Sequence, residues 1–119
     1  MRKDRFQQLL KDTNTEMVRL TSSKGEEYAN NESSDTADQH ANFKRLSSEL
    51  GLTPEQVLSV YLTKHIDAIK SYLRTGREFS EPIEGRVDDA ILYLILLKGL
   101  VIEKRENALK PEMGYNSFC

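Results

Sequence analysis

The chain has 119 residues, 38% apolar and 30% charged, with a formal charge of −2 and a single cysteine, Cys119. That length encloses one domain, and the composition is that of a compact protein rather than a disordered one. A near-neutral balance without a basic cluster argues against a nucleic-acid binder, and one cysteine excludes an internal disulfide framework or a thiolate metal cluster.

No apolar segment follows the basic start, so no secretory signal is expected. The longest apolar run, Ala90–Leu97, falls far short of the roughly 20 residues that span a bilayer. No membrane association and a cytoplasmic location are the expectations.

Four helices and no strands are predicted. The first runs from about Arg2 to Tyr28, with Phe6, Leu9, Leu10, Met17 and Leu20 spaced to line one side. The polar stretch "NNESSD" favours turns over helix interior and predicts a mobile loop over about 29–37. A second helix is expected to start at Ser34 or Asp35 as N-cap and to end at Gly51. In "LTPEQV", Thr53 can cap, Pro54 suits the first helical position and Gln56 completes a box-like spacing. That third helix should stop at Gly76 and face inward with Val57, Leu58, Tyr61, Leu62, Ala68, Ile69, Tyr72 and Leu73.

The fourth helix should begin around 84–86 and run to about Glu106. Because residues 91–102 are nearly apolar all round, it should be central. The expected fold is a single all-α, four-helix bundle-like domain over residues 1–107 with an irregular tail at 108–119. So much apolar surface on so short a chain suggests a dimer.

Three acids stand at the mouth of this buried helix. Glu84 and Asp88 share a face, whereas Asp89 lies about 100° further round. Acids in a first turn complement the helix dipole and cap free N–H groups. Alternatively, they hold Mg²⁺ jointly with substrate phosphates, the usual arrangement for this hard cation. Glu26 and Glu27 fall near the end of the first helix, where the dipole disfavours them unless a cation or Lys24 compensates. His65 falls on the Tyr61–Tyr72 stripe and reads as a packed histidine; Lys64 and Asp67 share the opposite, solvated face, from which Lys64 could reach a phosphate. Two scattered histidines make a zinc site improbable, and no phosphate-cradling glycine loop is present.

The order "KGEEYA", Asp38 four before Asn42–Phe43, "LTPEQV" leading into "LTKHIDAI", and "GRVDDAILYLILL" resembles the small phage-encoded relatives of MazG. That superfamily comprises all-α nucleotide pyrophosphohydrolases together with a nucleotide-modification-associated branch. The resemblance covers about residues 20–103. It implies a dimeric MazG-like fold and Mg²⁺-dependent hydrolysis of a (deoxy)nucleoside triphosphate to monophosphate and pyrophosphate. Carried over to this sequence, it implies Glu27, Asp88 and Asp89 as metal ligands, with Glu84 beside them and Glu27 and Asp89 as the catalytic pair. Lys24, Lys64, Asp38, Asn42 and Tyr93 are then expected around the nucleotide and its phosphates.

Two departures stand out. The enzyme pattern is Glu-x-x-Glu then Glu-x-x-Asp, whereas Glu27 precedes Asn30 at that offset and Glu84 precedes Val87, with Asp88 one later. Two further readings accompany the enzyme. One is a protein that binds a nucleotide or nucleotide-derived signal without turnover. The other is a phage helical interaction protein acting on a host partner through 29–37 and 108–119.

Overall fold

The computed structural model describes residues 1–28, 38–78 and 80–110, with the side chains of 23–28 excepted. Four helices make up this part: α1 (Lys3–Tyr28), α2 (Ala41–Leu50), α3 (Pro54–Thr75) and α4 (Ile83–Leu109), with no strand among the described residues. None is long and apolar enough to cross a membrane.

The local signals explain the boundaries of α3. Thr53 Oγ1 accepts the Gln56 N–H at 3.1 Å, and Gln56 Oε1 accepts the Thr53 N–H at 2.9 Å. The reciprocal pair satisfies two donors that a helix start leaves without intrahelical partners. Gly51 and Gly76 end α2 and α3 at φ values of 70° and 71°, a left-handed geometry that costs glycine no Cβ clash.

Two boundaries differ from expectation. The second helix starts at Ala41, not through Ser34 or Asp35, which lie outside the described residues. The Asp38 carboxylate accepts the His40 N–H at 2.9 Å, and the Asp38 carbonyl accepts the Ala41 N–H at 3.1 Å. These bonds give the backbone a turn in place of helix over 38–40. At the other end α4 continues through Ala108 and Leu109, so the expected tail is helical at its start; residues 111–119 and the loop at 29–37 lie outside the described residues.

The core joins all four helices. Met17 and Leu20 from α1, Phe43 from α2, Val57 and Leu58 from α3, and Leu92, Tyr93, Leu96 and Leu100 from α4 are buried together. Helix α4 packs on both α3 and α1, which gives it the central position that its sequence predicts. Two expected inward faces are only partly buried. Phe6, Leu9 and Leu10 on the first turns of α1 are exposed, and Leu73 in the last turn of α3 is 73% exposed. Burial on α1 begins at Met17, so the early apolar positions project past the core.

Candidate functional site

The acidic mouth of α4 is divided between two faces. Glu84 and Asp88, four apart, look across at α1, where Asp12 and Glu16 are likewise four apart. Together with Thr13 these residues line an open groove of about 570 Å³, to which Leu9, Ile83, Val87 and Ile91 add an apolar lining. The spacing of four on each helix puts each pair of acids on one stripe, so the groove has two carboxylates from each wall. Asp88 is half-buried, and its carboxyl is pushed above the ordinary aspartate value. Desolvation is the largest cause, followed by the negative charges of Glu16, Asp89 and Glu84. Glu16 is held below the usual glutamate value by its hydrogen bonds to Arg19, at 2.9 and 2.6 Å.

Asp89 turns the other way. Its carboxylate is 3.8 Å from His65 Nδ1 on α3, with both side chains largely buried. The His65 ring stacks on Tyr93 at 5.2 Å, and Tyr93 stacks on Tyr61 at 6.1 Å. Phe43 completes this aromatic group, edge-on to both tyrosines. Tyr93, expected beside a nucleotide, is therefore a core residue; its ring is buried among aromatics. The one-position step from Asp88 to Asp89 carries the carboxylate about 100° round the helix, out of the groove and against α3.

A second polar cluster lies near the other end of α4. Lys44 Nζ donates to Asp38 Oδ2 at 2.7 Å and to Glu103 Oε1 at 2.8 Å. His40, only 9% exposed, has Nε2 at 3.0 Å from the Leu96 carbonyl. Desolvation raises the Asp38 pKa, but the Lys44 and His40 N–H hydrogen bonds and their positive charge outweigh it and hold the group below the usual carboxylate value. For Lys44, desolvation works to lower the pKa, yet its two carboxylate partners raise it above the ordinary lysine value.

Two further expected residues, Lys64 and Asn42, do not join either cluster. Lys64 is exposed on α3 and lines no wall of the groove. Asn42 accepts a hydrogen bond from Arg45 at 2.8 Å on the surface of α2. The side chains of Lys24 and Glu27 lie outside the described residues. Sequence reasoning missed Asp12 and Glu16, although one signal was available: α1 carries an acid pair with the same spacing of four as Glu84 and Asp88. Comparison with protein-family models, curated proteins and solved structures finds no match for the chain.

Proposed function

We propose that the groove between α1 and α4 is a Mg²⁺-dependent nucleotide site and that the protein is a MazG-like, nucleotide-acting protein. Its reaction in this reading is hydrolysis of a (deoxy)nucleoside triphosphate to monophosphate and pyrophosphate. The observation that carries it is the opposition of Asp12 and Glu16 to Glu84 and Asp88 across one groove. An all-oxygen, carboxylate-rich donor set fits a hard cation, and the like-charge crowding at Asp88 is what such a cation relieves. When bound, Mg²⁺ neutralises phosphate charge and acidifies a coordinated water.

The residues of the chain have distinct parts in this reading. Glu16 and Asp88 are the principal ligands, and Asp12 and Glu84 flank them. The apolar floor of Leu9, Val87 and Ile91 offers a surface for a base or sugar. Arg19 is bidentate on Glu16; were Glu16 to hold the metal, the planar guanidinium of Arg19 would be free to suit a phosphate. Asp89 positions His65 and does not act as a ligand. The reading also takes the protein as a dimer, supported by the apolar side chains that α1 and α4 leave exposed.

A second reading, nucleotide binding without turnover, is favoured by the orientation of Asp89 toward His65, which removes one carboxylate from the groove. One assay separates the two. Purified protein is incubated with ribo- and deoxynucleoside triphosphates and Mg²⁺ or Mn²⁺, and products are scored by chromatography. Monophosphate formed by the wild type and by Asp89→Asn, but lost in Asp88→Asn, is the expected result. Binding without product in every case would leave the sequestering protein.

A further inference from the structure

We infer that a second copy of this chain docks on the α1–α4 groove, its α1 antiparallel to the first about a two-fold axis near Leu9. The basic start of each α1 then closes the acidic groove of the other copy. The inference deepens the nucleotide reading, whose dimer it rests on, by naming the interface and what the partner brings to the site.

The stripe that carries it begins at Arg2. The Phe6 N–H donates to the Arg2 carbonyl at 3.0 Å, so Arg2 already follows the helical register of α1. Arg2, Phe6, Leu9, Thr13 and Glu16 then recur at intervals of four and three, the spacing of a two-helix seam. Its basic end, apolar middle and acidic end decide the orientation. Laid parallel, two such stripes would stack Arg2 on Arg2 and Glu16 on Glu16. Laid antiparallel, they set each Arg2 against the partner's Glu16 and Leu9 against Leu9, with Phe6 beside the partner's Thr13.

The groove fits that occupant. Burial on α1 starts only at Met17, and Phe6 and Leu9 in the middle of the stripe remain 48% and 40% exposed. Leu9, Thr13 and Glu16 line the groove from one side and Val87, Asp88 and Ile91 from the other, so a helix laid along the stripe also meets α4. The charges are complementary: Arg2, Lys3 and Arg5 open α1, opposed there only by Asp4, whereas the groove carries Asp12, Glu16, Glu84 and Asp88. Arg2 engages Asp4 through Nε at 3.2 Å, with both side chains largely exposed. Among the described residues no bond holds its terminal nitrogens. Glu16 binds Arg19 at 2.9 and 2.6 Å, and each of its oxygens keeps a second lone pair. The partner's Arg2 thus stands beside Glu16 and across from Asp88, a guanidinium placed for substrate phosphate at the carboxylates proposed for the metal.

Light scattering of the full chain over a dilution series, without Mg²⁺ or nucleotide, tests the pairing apart from the groove's ligand. The wild type should dimerise. Arg2→Glu and Glu16→Arg each place two like-charge contacts in an antiparallel dimer. Each should weaken it by about tenfold or more, the combined cost of two surface ion pairs turned to repulsion. Mixing the two variants in equal amounts restores opposite charges at both contacts, and the dimer should return to within about threefold of wild type. Lys64→Glu, the same charge change on the exposed side of α3, should leave association unchanged. Circular dichroism checks helicity; if Glu16→Arg loses it, Glu16→Gln removes the pair without a new charge and should weaken the dimer by about threefold. A wild-type monomer, a dimer that neither Arg2→Glu nor a helical Glu16 variant weakens, or a mixture that stays monomeric would overturn the inference. Loss of nucleotide binding with this pattern intact would strike the groove's ligand and leave the pairing standing.

Discussion

Asp88 and Asp89 are neighbours in sequence and opposites in environment. Asp88 faces three like charges and has a raised pKa; Asp89 faces an imidazole. For a carboxyl whose folded pKa lies above its unfolded value, the stability it supports is present at low pH and is lost as pH rises through the folded pKa. Ionised Asp88 therefore destabilises the metal-free protein at neutral pH. Asp88→Asn should stabilise it there by about 0.5 kcal/mol, a modest figure because solvent screens the groove. Below the carboxylate range the gain should vanish, as a melting-temperature profile against pH would reveal. Asp38 titrates with the opposite sign: its pKa is lowered, so its contribution is present above the unfolded carboxyl value and is lost as pH falls through the folded one. The sequence made the angular offset between Asp88 and Asp89 legible. What it could not reveal is which wall each faces, because that depends on how α1 and α3 pack against α4.

At the scale of elements, the helices were legible wherever a local device sets their ends. The Thr53–Gln56 box and the two terminal glycines act within a few residues, so the chain alone announces them. Thr53→Ala should cost about 1 kcal/mol of unfolding free energy, measured by urea denaturation. The start of α2 was misread because two bonds from Asp38 compete with the helix over 38–40. Gly99 shows why a helix interior is harder to read. It sits within α4, where alanine would ordinarily gain about 1 kcal/mol, yet a methyl would press on the His40 ring. Gly99→Ala should therefore be neutral or destabilising in the wild type, and stabilising by about 1 kcal/mol in a His40→Ala background. Additive effects in that double-mutant cycle would contradict the contact.

The whole molecule is extended: its radius of gyration is 17.4 Å, against about 13–14 Å for a compact chain of this length. The first turns of α1 and the outer face of α4 leave Phe6, Leu10, Leu94 and Ile95 about half exposed. A second copy is the occupant that the proposed dimer supplies. Light scattering should give twice the 13.7 kDa chain mass, and Phe6→Glu with Leu10→Glu should return the monomer while helicity is retained. A wild-type monomer would contradict this part of the account. The all-α class and the central position of α4 were legible because its residues 91–102 are apolar on nearly every side. The pairing of Asp12 and Glu16 with the mouth of α4 was not, since 68 or more positions separate the partners in sequence and only the packing of α1 on α4 joins them.

The most direct test of that pairing is calorimetric titration of Mg²⁺ with a non-hydrolysable nucleoside triphosphate into the wild type, Glu16→Gln and Asp89→Asn. Binding that falls by about tenfold or more in Glu16→Gln, as loss of a metal ligand should cause at least, and persists in Asp89→Asn is the predicted result. Binding that survives in Glu16→Gln and is lost in Asp89→Asn would contradict the groove and return the site to the other face of α4.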